Sequence, residues 1–194
     1  MGNKYGVPGV ILTSVLLASC ASMDGGTPVP PGAFRLTSPG RADNAILERK
    51  NAGNNKANPN CIGDNVSPPL QWFNAPEKTR SFAILMHDQA GFSGLGVQHW
   101  VAYGIPASVT SLAEGEGSPP SPKVTGGSNA FKQPLYFGPC TPKGNAPQHY
   151  VFTLIATDLE PGALKPGLTR DELFAQIKGH NLRAASLVLR FVNP

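Results

Sequence analysis

The chain has 194 residues, a formal charge of +4, 40% hydrophobic residues and 14% charged ones, which is enough apolar material for one core and too little charge for a disordered chain. Its 16 lysines and arginines are scattered, with no basic run and no interleaved aromatics, which argues against a nucleic-acid surface. Twenty-two glycines and 20 prolines interrupt helices and long strands, so the composition points to an all-β domain with minor helices.

Residues 1–19 read as an export signal. Lys4 gives a positive start, Val10 to Leu17 an apolar segment too short to span a bilayer, and Leu17-Ala18-Ser19-Cys20 closes it with small residues before a cysteine. This pattern resembles a bacterial lipoprotein signal; the alternatives are an ordinary signal peptide or an N-terminal helix. The resemblance implies that Cys20 becomes the first mature residue and carries acyl chains that hold the domain at a membrane. Ala21 and Ser22, with no aspartate after the cysteine, imply the outer membrane of a bacterial envelope, facing the periplasm. Residues 20–32, rich in Pro, Gly and small residues, suit a flexible tether. The folded domain is expected over 33–194.

Within the domain, strand candidates recur at Phe34–Thr37, Ser81–His87, His99–Ile105, Tyr150–Thr157 and Ala185–Val192, each ended by Pro, Gly, Asn or Asp. Such spacing predicts an antiparallel β-sandwich, and Ser81 to Met86 is apolar enough to lie centrally in it. Thr169-Arg170-Asp171-Glu172 is a capping box that predicts a C-terminal helix, with Leu173, Phe174 and Ile177 as its apolar stripe and Gly179 as its stop. With Cys20 committed to the signal, Cys61 and Cys140 remain. An exported chain meets an oxidising compartment, so the economical expectation is a disulfide between them. Trp72 and Trp100 read as core.

Nothing in the sequence calls for a cofactor. There is no phosphate-cradling Gly-rich loop followed by Lys-Ser/Thr, and no dinucleotide fingerprint opens a helix. A metal site is not expected either, because neither free-standing cysteine has a ligand at zinc spacing, and adjacent residues such as His87 and Asp88 point to opposite faces of a strand. Asp88, His99 and Ser93 could be imagined as a triad, but Gly91-Phe92-Ser93-Gly94-Leu95 lacks the closing glycine of a nucleophile elbow.

A binding rim fits the polar residues better. Asp88 ends one strand and His99 begins the next, while Tyr136-Phe137-Gly138-Pro139-Cys140 and Gln148-His149 flank a further loop. Strand-end loops can converge at one end of a sandwich, where glycine and proline let backbone approach a ligand and an imidazole can hold an anion. Asp88 would orient and charge that imidazole, or accept from a ligand's ammonium. Trp72 and Trp100 aside, the aromatic of interest at this rim is Tyr136.

Six stretches in one order carry a resemblance: Ser67-Pro68-Pro69-Leu70-x-Trp72, Ala75-Pro76, Ser81-Phe82-Ala83, His99-Trp100-Val101-x-Tyr103-x-Ile105-Pro106, Gly138-Pro139-Cys140-x-Pro142 and Tyr150-Val151-Phe152-Thr153-Leu154. They resemble the phosphatidylethanolamine-binding protein family, in its bacterial Raf-kinase-inhibitor-like branch, from about Leu36 to Phe191. The resemblance implies an antiparallel sandwich with a pocket at one end for a small anion or phospholipid head group, without catalysis. It implies ligand-binding roles for Asp88, His99, Tyr136, Gly138 and Pro139, and for Gln148 and His149, which stand where the family has a His-Arg pair. Here the acidic loop, His87-Asp88-Gln89-Ala90-Gly91, is one residue shorter than the family's and one carboxylate poorer. Gln148 can donate but cannot become charged, so weaker or less pH-dependent anion binding is expected. The alternatives are a protein-interaction or inhibitor module using the same rim, and a hydrolase with His99 as base.

Overall fold

The structure, a computed structural model, describes residues 1–2 and 30–194; the signal, Cys20 and most of the tether lie outside the described residues. Strands β1 (Arg35–Thr37), β2 (Leu70–Phe73) and β5 (Ser111–Leu112) form a small sheet in the order β1-β2-β5. Strands β3 (Ser81–Asp88), β4 (Val97–Pro106), β6 (Thr125–Gly126), β7 (Gln148–Thr157) and β8 (Asn181–Phe191) form the large one, β6-β4-β3-β7-β8. Every strand pairing is antiparallel. The core lies between the sheets: Leu36, Leu70 and Trp72 from the small sheet meet Phe82, Ile84, Met86, Trp100, Phe152 and Leu189 from the large one. This is the expected sandwich.

Central position explains the composition of β3, which is buried along nearly its whole length. Its even-numbered residues Phe82, Ile84 and Met86 enter the inter-sheet core, while Ala83 and Leu85 face the other way. That second face is covered by α2 (Arg170–Ile177), which follows a short helical turn, α1 (Gly91–Gly94), in chain order. Thr169 caps α2 by accepting from the Glu172 amide while the Glu172 carboxylate accepts from the Thr169 amide. Leu173 and Ile177 are buried against Ala83, Leu85 and Tyr103, contributing about 2 kcal/mol each by removal from water. Phe174 departs from the expected stripe: it is 38% exposed, with the Arg170 guanidinium 5.1 Å above its ring. Gly179, at φ +87°, ends the helix as expected.

Residues 44–47 run along the outer edge of β8. The Asn44 and Leu47 amides donate to the Val188 and Arg190 carbonyls, and the Arg190 amide donates to the Ala45 carbonyl. That pairing satisfies an edge that would otherwise be open to another chain. Cys61 and Cys140, 79 residues apart in sequence, are paired as a disulfide.

Candidate functional site

Strand β3 ends where β4 and β7 begin, and the loops that meet at this end enclose a cavity of about 340 Å3. Asp88, His99 and Gln148 line it, together with Tyr150, Ser93 and Asn145. The convergence follows from register. Asp88 pairs with Val97 on one side and Tyr150 on the other, so side chains on the inner face at this height belong to three adjacent strands.

His99 reaches that face through a β-bulge. Met86 pairs with Trp100 and His87 with Gln98, which leaves His99 without a partner on β3. An extra residue of this kind resets the alternation of a strand and re-aims a side chain. Consequently His99 and Trp100, although consecutive, are both buried on the core side. The unpaired backbone is satisfied elsewhere: the His99 carbonyl accepts from the Phe137 amide and the Asn129 side chain. On the opposite face His87 and Gln98 line a separate depression of about 270 Å3 beside Arg170, so His87 and Asp88 are kept apart as strand alternation requires.

The imidazole of His99 is fixed by a carbonyl. Its Nδ1 stands 2.8 Å from the Phe137 oxygen, so Nδ1–H donates there and Nε2 holds the lone pair. Rings of Tyr150, Phe131 and Phe137 surround it, with centroids 5.2, 5.9 and 6.4 Å away. Burial pushes its pKa down to about 4, against the opposing pull of the Phe137 carbonyl. The expectation that Asp88 orients and charges this imidazole is therefore corrected: the backbone orients it, and desolvation keeps it neutral.

Asp88 is 2% exposed. Burial raises the pKa of its carboxyl, partly offset by the Ala90 and Gly91 amides, and the Ala90 N–H donates to Oδ1 at 2.9 Å. The turn α1 makes this possible. Gly91 packs so closely on Val97 that a Cβ there would collide with it and would stand 3.3 Å from Asp88 Oδ2. Phe92 and Ser93 follow in the left-handed region, at φ 47° and 57°, a conformation costing roughly 1–2 kcal/mol per residue. It leaves Phe92 62% exposed at the cavity's edge.

Four residues expected at the site stand elsewhere. Tyr136 is fully buried in the core, its ring edge-on to Trp100 at 5.9 Å and its hydroxyl donating to the Asn51 carbonyl at 2.8 Å. Gly138 and Pro139 form the support behind the cavity. The Gly138 amide donates to Asn65 Oδ1 at 2.8 Å, and the Pro139 carbonyl accepts from the Gly53 amide at 2.8 Å. A Cβ on Gly138 would fall on the Asn51 carbonyl oxygen and 2.7 Å from the Gly53 nitrogen, so this glycine serves a close backbone crossing. His149 is exposed on the outer face, because it sits between Gln148 and Tyr150 in a strand whose side chains alternate. The phenol in the cavity is that of Tyr150, whose hydroxyl pairs with Thr141 at 2.9 Å and donates to Gln148 Oε1 at 3.3 Å. Its same-face spacing from Gln148 was the sequence signal for it. Ser93 is in the cavity too, but among the described residues it makes no hydrogen bond to His99.

The chain matches the family model for phosphatidylethanolamine-binding protein over residues 37–192. It is 33% identical over 160 residues to a UPF0098 protein of Aquifex aeolicus, covering 80% of this chain and 92% of that one. Over 156 residues it is 32% identical to LppC of Mycobacterium tuberculosis, whose name carries the word lipoprotein, covering 78% and 71%. The crystal structure of Escherichia coli YbcL, described as a member of the mammalian PEBP family, superposes with a TM-score of 0.73 at 27% identity over 83% of this chain and 99% of that one. With the match spanning every strand of the large sheet, and the sandwich itself shared, the chain belongs to the phosphatidylethanolamine-binding protein family.

Proposed function

We propose that the protein is a membrane-anchored, non-catalytic binding module whose end cavity takes a small oxyanion or the head group of a phospholipid. The observation that carries this reading is the cavity itself, where Asp88, His99 and Gln148 from three strands face one space of about 340 Å3, a volume suited to a small polar ligand. The surrounding charge favours an anion. The loops that contribute lining residues bear exposed Lys56, Lys132 and Lys143, and between 54–60, 89–96, 127–135 and 139–148 there is no Asp or Glu. Such a rim raises the local concentration of anions.

Catalysis has no comparable support. Hydrolysis would need a nucleophile within hydrogen-bond reach of a base; the Phe137 carbonyl orients His99 with Nε2 free, but among the described residues Ser93, the hydroxyl beside it in the cavity, makes no hydrogen bond to that imidazole. Anchoring through Cys20 rests on the residues before it and on the likeness to a protein named as a lipoprotein; the same likeness supports a place in the bacterial envelope, and Ala21 and Ser22 after the cysteine are the ground for the outer membrane facing the periplasm. A second reading, a docking module for another protein, is favoured by the exposure of Phe92 (62%) and Leu95 (88%) on the turn at the mouth.

Mass spectrometry of protein released from membranes tests the first reading. Wild-type protein should carry a phospholipid or a phosphorylated small molecule, and His99→Phe, which fills the cavity, should not. Equal recovery with both would overturn it.

A further inference from the structure

The cavity's polarity sets a condition on any anion entering it. Of the described residues that line it, Asp88 alone is a carboxylate, and no lysine or arginine is among them. The second polar group at its floor, His99, presents a lone pair at Nε2, because Nδ1–H is committed to Phe137. The donors on offer are neutral: the amides of Asn58, Asn60, Asn145 and Gln148 and the hydroxyl of Ser93. An oxyanion would thus face two acceptors, one of them a carboxylate.

Among the described residues, the groups around Asp88 give it no compensating cation. From its own turn come the Ala90 and Gly91 amides. From β4 comes neutral His99, and from β7 come Gln148 and Tyr150, whose neutral hydroxyl is shared among Asp88, Thr141 and Gln148. From the far face of β3 comes His87, which burial and nearby Arg170 hold towards its neutral form. Lys56, Lys132 and Lys143 are exposed on the rim loops and do not line the cavity.

We propose that an oxyanion enters this cavity only together with a proton on Asp88, so that ligand capture and proton uptake are one event. The inference rests on the anion reading above and adds its regulation. Two unit charges about 5 Å apart in an effective dielectric near 20 weaken a binding constant by roughly two orders of magnitude, and a doubly charged anion beside the same carboxylate by roughly twice as many orders. Protonation removes that cost and turns the carboxyl into an O–H donor to the ligand. Burial already biases Asp88 in this direction. A hydrogen phosphate can bring the proton itself; sulfate, doubly charged across the neutral range, must draw it from solvent.

Sulfate is accordingly the probe, titrated calorimetrically into the full chain between about pH 5.5 and pH 8 in two buffers of different ionisation enthalpy. Close to one proton should be taken up per sulfate at the upper end, with Kd weakening about tenfold per pH unit. Asp88→Asn, which keeps the acceptor for the Ala90 amide, should bind more tightly than wild type near pH 8, by about tenfold for each pH unit above the Asp88 titration, and lose the pH dependence. Wild-type binding without proton uptake overturns the proposal while leaving the anion pocket intact. A pH dependence that survives in Asp88→Asn and vanishes in His99→Gln puts the proton on the imidazole and also overturns it. Sulfate bound by neither wild type nor Asp88→Asn at any pH removes the anion pocket, and this inference with it. Should Asp88→Asn fail to fold, the two-buffer comparison is made on wild type and His99→Gln: uptake kept in His99→Gln supports the proposal, and uptake lost there overturns it.

Discussion

Acidification is the perturbation that the site itself makes quantitative. His99 is buried as a neutral imidazole with its pKa pushed down to about 4, whereas in the unfolded chain it titrates near 6.5. Between those values the unfolded state binds the proton and the folded state does not. The contribution is therefore complete above about pH 6.5, falls as pH is lowered, and levels off below about pH 4, by which point about 3 kcal/mol has been lost. Asp88 works in the opposite sense, since burial raises its pKa: its stabilising effect is present at low pH and is lost as pH rises through its folded value. The two are separated by comparison with His99→Gln, which removes only the imidazole titration. Urea unfolding from about pH 7 to pH 4 should give wild type a stability loss steeper than the variant's by about 3 kcal/mol over the range. Parallel curves would refute the claim that the imidazole is buried and neutral.

Other expectations concern the support of the cavity and the anchor. Gly138→Ala forces a methyl onto the Asn51–Gly53 backbone and should cost about 3 kcal/mol, read as a fall in Tm of roughly 5–10 °C; an unchanged Tm would contradict the close crossing. Reducing the Cys61–Cys140 bridge, with its sequence separation of 79, should destabilise by up to about 4.5 kcal/mol on loop entropy and weaken ligand binding, since Asn58, Asn60 and Cys140 line the cavity. Urea melts and ligand titrations with and without reductant check both. Cys20→Ala should leave the domain folded but unlipidated and released from membranes on fractionation, and continued attachment would refute the anchor.

Much of the fold was legible because its signals are local. The apolar run of β3, the alternation along β7 and the Thr169 capping box each depend on neighbouring residues, and each lies where expected. The small sheet was less legible: β5 and β6 have two residues each, too few for any period, and β2 follows Pro68-Pro69, which reads as a breaker. The site was half visible. Asp88, His99 and Gln148 share the cavity, but the bulge that aims His99 is a mismatch between two strands and leaves no mark in either one. Period-two alternation, applied to Gln148-His149-Tyr150, would have rejected His149 and found Tyr150. Tyr136 and Gly138 were given ligand-binding roles by resemblance, yet nothing local distinguishes a residue held by packing from one held by a ligand. The charge state of His99 was misjudged for a similar reason: it is set by burial, and the rings of Phe131, Phe137 and Tyr150 that surround the imidazole come from distant segments of the chain.

The central claim is that the space between Asp88, His99 and Gln148 holds a small phosphorylated ligand. Titration of isotopically labelled protein with phosphoethanolamine, followed by NMR, tests it most directly. The account predicts saturable shifts at the His99 ring, the Gln148 side-chain amide and the backbone amides of Ser93 and Tyr150, with His87 and His180 unmoved. Shifts confined to the outer face around His87 and α2, or none at millimolar ligand, would contradict it.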